Sequence, residues 1–599
     1  MIFQTSEKFL SGTVVPLFSL KSHSGCGVGE FPDLKIFGQW CKASGIELIQ
    51  LLPLQSTGEN SSPYSADSSV ALNLIYLRLA DVFGADFFKK EITEFSKEVN
   101  TLKRFEYKRI YSFKMALLEQ IYHRNILNIE KNLERKKWEE DNSWVSIFAV
   151  YRVLKNKYKS QPWSQWDVED QFPDEKFITQ YLQTHYEEAL FYIWVQYEAH
   201  LQLSEASVYL DDLGIFLKGD IPILLDENSA DVWYYRKYFK LDYKAGAPPD
   251  QFSNDGQNWG FPVYNWENLK KDNYEWWRLR LQNADTYYHA IRLDHVIGFL
   301  RIWQVEASGK TAAEGCFSPG SRITQEQLLA AGFTENEFHS LLNDSRGICL
   351  KEIPGTEDGL KRNEKGYYPL WFYYTTSVFA ELSDEKKDIL RQIVDDYYNR
   401  SEQIWESRGR EILGFFKKSA LSLFCAEDLG AVPKCTEKIL FDSGILSLKV
   451  GRWTRKYSEP EAPFINPKEY PYYSVTTTSV HDTTTLADWW LNETEESNAL
   501  AEILHTNTEK PLEEEGIFKK VLNWYLDSNS MLCIIALQDI FSISKKYSLG
   551  NPASGRINVP GTWSDMNWSY RIEPYIEELK ADETFQKEIF DLLQTRKNR

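Results

Sequence analysis

Apolar positions in this chain cluster in two ways, and the alternation between them predicts a fold. Short aliphatic and β-branched runs bounded by turn residues occur at Thr13–Leu20, Ile46–Leu54, Gly214–Leu225, Tyr287–Asp294, Leu421–Glu427, Gly444–Val450, Tyr473–His481 and Met531–Asp539. Near-continuous apolar runs of this length read as strands buried on both faces. Between them lie stretches with the 3.6-residue period of an amphipathic helix, as at Asp33–Ser44, Trp276–Asn283 and Glu514–Asp527. Regular alternation of strand and helix implies parallel strands, because a helix is the usual way to carry the chain back to the start of the next strand. Eight such runs predict an α/β fold of the (β/α)8 TIM barrel type with large, mostly helical insertions.

Spacing locates the insertions. A plain strand-helix unit takes about 30 residues. The runs ending at Asp294 and Glu427 should be neighbours, yet these residues stand 133 positions apart. An insertion at 305–415 is therefore expected, holding the helical stretches TQEQLLAAGF, ENEFHSLLN and SDEKKDILRQIVDDYYNRSEQIWESRGREILGFFKK. A second, at 78–212, reads as helix in LKRFEYKRIYSFKMALLEQIYHRN, SWVSIFAVYRVLKN and ALFYIWVQYEAHLQLSEASVYLDD. With no internal repeat, low-complexity tract or flexible linker, the whole chain, 1–599, reads as one catalytic barrel with two packed subdomains.

Charge and composition narrow the partners. The net charge is -19 with acidic and basic residues interspersed, which argues against nucleic acid or an anionic membrane and suits a neutral ligand. The start of the chain lacks a signal-peptide pattern and no apolar run is long enough to span a bilayer, so a cytoplasmic location is expected. Seven scattered cysteines show neither CxxC nor Cys/His metal spacing, so they read as reduced packing residues. No Gly-rich phosphate loop or metal-spaced His pair occurs, and no cofactor is expected. Aromatic residues make up 15% of the chain; some could stack on the C–H faces of sugar rings, although most belong to the core. Oligomeric state is not legible.

Three acids sit where apolar runs end: Asp294 in IRLDH, Glu427 in LFCAEDLG and Asp482 in SVHDTTT. The carboxyl ends of barrel strands form the catalytic mouth, where carboxylates from different strands can surround one glycosidic bond. Arg292 and Asp294 are two apart, so on a strand they leave the same face and the cation favours an ionised acid. A structural ion pair is the alternative reading. The apolar approach Phe424–Ala426 would raise the pKa of Glu427, and of the neighbours Glu427 and Asp428 only one should face the mouth. Taken singly, the Glu427–Asp428 pair could be a helix N-cap or a solvated turn, and Asp482 could cap a helix beginning near Thr484. Asp220 in LKGDIPILL is a fourth strand-associated acid, with Gly219 allowing close approach. The following KAGAPPDQFSNDGQNWGFPVYNW, carrying Phe252 and Trp259, reads as a stiffened aromatic loop able to cover a polymer.

With these segments assembled, the chain resembles the 4-alpha-glucanotransferases, or amylomaltases, of glycoside hydrolase family 77. The matching stretches are SPYSADSSVALN, GDIPILLDENSADVW, GAPPDQFSNDGQNWGFPVYNW, IRLDHVIGF, AEDLGAVP, TSVHDTTTL and INVPGTW, in order along the chain. The opening VPLFSLKSHSGCGVGEFPDLK and the long gap before Glu427 look like the branch containing the cytosolic plant disproportionating enzyme, without its starch-binding modules. The resemblance implies transfer of α-1,4-glucan segments between maltooligosaccharides and α-glucans with retention of configuration. It makes Asp294 the nucleophile, Glu427 the acid/base and Asp482 the transition-state carboxylate. It assigns Tyr64, Asp220, Arg292 and His481 to the donor sugar, and Phe252 and Trp259 to the loop over the groove. Leu74, Gln251 and LSLKVGRWTRK depart from the family pattern and bear on acceptor subsites. Alternatives are an α-glucan hydrolase or branching enzyme on the same barrel, and a non-catalytic glucan-binding protein.

Overall fold

The computed structural model describes residues 2–3, 9–249, 253–309, 311–343, 347–353, 365–506 and 516–597. Eight parallel strands form its centre: β1 (Leu10–Val14), β2 (Leu48–Gln50), β3 (Phe216–Ile221), β4 (Ala290–Leu293), β5 (Leu423–Ala426), β6 (Ser447–Val450), β7 (Ser474–Thr477) and β8 (Leu532–Ala536). They pair in the order β5-β4-β3-β2-β1-β8-β7-β6, and a parallel bridge between Cys425 and Leu446 joins β5 to β6 and closes the barrel. All five residues of β8 are buried, as expected of a strand walled by helices outside and by side chains within.

Each of the eight apolar runs contains or overlaps one of these strands, with one displacement. The first run, read as Thr13–Leu20, is a strand only to Val14, and Leu17–Ser19 is a 3-10 turn. Pro16 has no N–H to continue the ladder, and the turn is as buried as the strand, so hydrophobicity alone could not mark the boundary. The strand begins earlier, at Leu10, where Arg596 takes hold of it. Arg596, on the terminal helix Glu583–Lys597, is fully buried and donates to the carbonyls of Leu10, Leu526, Ser528 and Ser530.

Helix α1 (Asp33–Ala43) packs on α2 (Tyr186–Asp212), and α3 (Glu275–Tyr287) packs on α4 (Asp384–Ser419), forming part of the outer layer. Between β2 and β3 the chain is mostly helical, including Tyr107–Lys131 and Trp144–Lys157 before α2 itself. Between β4 and β5, helices Gln325–Ala330 and Glu335–Leu342 each start with a capping box, Thr324 with Gln327 and Thr334 with Glu337. These helices belong to a small separate core that includes Leu328, Phe338, Tyr367 and Leu390. The 36-residue α4 leaves that core and continues into the barrel wall. Among the described residues no helix is long and apolar enough to cross a membrane.

The aromatic segment after β3 corrects the expectation of a loop. Phe239–Ala247 and Gln257–Tyr264 are strands of a four-stranded antiparallel sheet completed by Ile302–Glu306 and Cys316–Ser318. Its Gly and Pro content hides the strand pattern. Pairing with residues from beyond β4 supplies the missing ladder partners, Ala245 opposite Gln304 and Gly246 opposite Trp303. Phe252 and Gln251 lie outside the described residues.

Candidate active site

The strand register builds the site. Asp220 on β3 lies opposite Arg292 on β4, and Leu293 lies opposite Ala426, so Asp294 and Glu427 follow side by side at the ends of β4 and β5. Arg292 points into the barrel and gathers three carboxylates. Its Nη1 donates to both oxygens of Asp220 at 2.8 and 2.9 Å and to Asp294 Oδ1 at 2.9 Å, while its Nη2 is 3.8 Å from Glu427 Oε2. Gly219 has no alternative here, since a Cβ would lie 2.4 Å from the Tyr288 ring behind the strand.

Asp482 reaches the same cluster through a relay. Its Oδ2 is 3.2 Å from His481 Nε2; His481 Nδ1 is 3.4 Å from the Tyr64 hydroxyl, and that hydroxyl donates to Asp220 Oδ2 at 2.7 Å. The Tyr64 and His481 rings stack at 4.8 Å. Tyr64 hangs on the loop after β2, and His481 and Asp482 on the loop after β7. The seven residues Tyr64, Asp220, Arg292, Asp294, Glu427, His481 and Asp482 thus form one connected network, although they come from five different strand ends. Trp259 joins at the edge: its indole meets the His295 ring at 5.0 Å, edge to face.

The carboxyl groups differ in environment. Burial pushes the Glu427 carboxyl up to about 8, helped by Asp294 nearby and opposed by Arg292 and by the His295 N–H, which donates to Oε2 at 2.7 Å. Burial also raises the fully enclosed Asp220, against the pull of Arg292 and Tyr64. For Asp482 burial acts upward too, but His481, the Asn558 amide at 2.6 Å and Arg292 outweigh it and hold the acid below its ordinary value. The Asp482 side chain is 42% exposed, against 14% for Glu427, in line with the two directions. The His295 imidazole is driven by burial down to about 4, so it is neutral beside Asp294 near pH 7.

Several participants were not singled out in the sequence. His295 adopts a left-handed backbone, φ 41° and ψ 54°, uncommon for a residue with a side chain, and this turn aims its N–H at Glu427. It is the last residue of IRLDH, but nothing in a linear pattern marks a backbone donor. Asn558 lies in INVPGTW, and only the fold shows it holding Asp482. Trp568 flanks both Tyr64 and His481 at 5.7 Å. Asp539, fully buried just after β8, accepts from Thr478, Ser479 and the Leu486 N–H and so fixes the loop that carries His481 and Asp482. The capping alternatives do not hold. The N-cap of the helix Leu486–Asn492 is Thr485, and Asp428 accepts from the Leu448 N–H at 2.7 Å, tying β5 to β6. Among the described residues no group of three or more His, Cys, Asp or Glu side chains could hold a metal ion.

A family model described as 4-alpha-glucanotransferase, of the glycoside hydrolase 77 type, matches residues 15–577. The chain belongs to this family. It is 30% identical to the 4-alpha-glucanotransferase DPE2 of Oryza sativa subsp. japonica over 97% of its own length and 69% of the rice protein. It is 32% identical to the 4-alpha-glucanotransferase of Chlamydia pneumoniae over 96% of this chain and 93% of that one. The amylomaltase of Streptococcus agalactiae, solved in complex with acarbose, superposes with a TM-score of 0.69 at 22% identity, covering 98% and 99% of the two chains. That likeness confirms the barrel fold.

Proposed function

We propose that this network performs a retaining, two-step transfer of α-1,4-glucan segments. Asp294 attacks the anomeric carbon; the bond from that carbon to the glucosidic oxygen breaks, and the leaving oxygen keeps the electron pair and takes the proton of Glu427. The acceptor hydroxyl then gives its proton to Glu427 and displaces Asp294, so two inversions restore the original configuration. Positive charge developing on the sugar ring is stabilised by Asp482, which stays ionised for the reason given above. Tyr64, Asp220, Arg292 and His481 hold the donor sugar, and Trp259 lies at the edge of the groove. The donor and acceptor are maltooligosaccharides or longer α-glucans, the reaction runs in the cytoplasm, and 78–212 and 305–415 are subdomains on the one catalytic barrel.

One observation carries this reading: a single guanidinium contacts both Asp294 and Glu427 at adjacent strand ends, and burial there holds the proton of Glu427 up to about pH 8. That arrangement places a proton donor beside the group that attacks the anomeric carbon. Incubation with maltotriose tests the reading. A constant count of reducing ends, with longer and shorter chains appearing, is the expected result. A rising count means hydrolysis, and no redistribution at all removes the catalytic reading.

A further inference from the structure

Trp563 is 98% exposed, while the next most exposed of the chain's tryptophans, Trp453, is 41% exposed. One apolar side chain on a surface is ordinary. Two features set this one apart: its backbone is braced, and its loop is built onto the catalytic wall.

The bracing is a set of short-range bonds. The Val559 N–H donates to Asn567 Oδ1 at 3.1 Å, and the Asn567 amide returns bonds to the carbonyl and hydroxyl of Thr562 at 3.0 and 3.2 Å. The Thr562 hydroxyl donates to the Val559 carbonyl at 2.7 Å, and the Asn567 N–H to the Ser564 carbonyl at 3.0 Å. The residues on either side of Trp563 are therefore tied down while its indole is not packed. Both stems of the loop are fastened to the site. The Asn558 N–H donates to the His481 carbonyl at 3.1 Å and its amide to Asp482, and on the returning segment Trp568 packs beside Tyr64 and His481. Trp563 follows Asn558 by five positions, a span of at most about 18 Å fully extended, and the turn shortens it. The backbone of Trp563 is therefore held within that reach of Asn558, the residue bonded to Asp482.

We propose that Trp563 is the platform of a remote glucan subsite, on which a sugar unit beyond those at the catalytic acids stacks its apolar face. The proposal rests on the glucan-transfer reading of the main site. The occupant is the substrate chain, because the loop is continuous with the wall that grips the reacting sugar. A short substrate does not reach the platform and a long one does, so its signature is dependence on chain length.

The test compares kcat/KM for maltoheptaose and maltotriose in the wild type, W563A and W563F. In W563A the maltoheptaose-to-maltotriose ratio falls about 3- to 10-fold, the range expected for one stacked ring, and W563F, which keeps a ring, recovers part of it. An unchanged ratio overturns the proposal, as does a changed oligomeric state with length-independent kinetics, which would assign the indole to contact between copies. A wild type that leaves maltotriose untouched refutes the functional reading instead, so the two failures are distinguishable.

Discussion

The ends of β5 and β7 carry the same kind of group and treat it in opposite ways. Glu427 is pressed into the mouth beside Asp294, and burial holds its proton to about pH 8 despite Arg292 and one backbone donor. Asp482 stands nearly half open, with an imidazole and an amide within hydrogen-bonding distance, and is held in its charged form. What separates an acid from an anion here is therefore enclosure and the supply of donors rather than residue type.

The largest expected effect attacks the β5 side. Glu427→Gln should lower glucan transfer about 10²- to 10⁴-fold. A donor whose leaving group needs no protonation, such as a maltosyl fluoride, should restore the first step, and its failure to do so would place Glu427 outside the acid role. Asp482→Asn should lower kcat about 10²- to 10³-fold with no rescue by the fluoride, because the lost charge acts on the ring and not on the leaving group. Asn558→Ala removes one donor from the ionised Asp482 and leaves His481. Its kcat should fall about 5- to 10-fold, and the acid limb of the pH–kcat profile should move to higher pH; an unmoved limb would show that the amide does not tune Asp482.

The smallest effect is on stability. With a folded pKa near 8 and an unfolded value of about 4.3, Glu427 in the folded chain keeps a proton that the unfolded chain releases. Folding stability from this group therefore falls as pH rises through that window, and the penalty is complete above it. Glu427→Gln removes the penalty, so thermal unfolding should show a gain of about 1–3 °C at pH 8.5 and none at pH 4. An equal gain at both pH values would mean that the wild-type carboxyl is not held protonated.

How legible the molecule was varied with how local each feature is. The barrel strands were visible because strands buried on both faces leave apolar runs, and the pair Arg292 and Asp294 because a two-residue spacing fixes a common face. The antiparallel sheet after β3 was not, since its Gly- and Pro-rich segment is a strand through pairing on both sides, 243–246 with 303–306 and Ala247 with Gln257. The donors that set the acids apart were equally hidden. Asn558 meets Asp482 across 76 positions and the His295 N–H meets Glu427 across 132. Asp539 fell at the end of a correctly placed run, yet its work, holding the loop after β7, is a tertiary contact.

The sequence by itself determined the alternating elements, the acids at strand ends and the family to which they belong, because these depend on local periodicity and on order along the chain. Only the tertiary structure decided which acid keeps its proton, which one stays charged and which indole is left uncovered. Those properties arise from burial and from partners brought together by barrel closure, and no spacing along the chain encodes a dielectric environment.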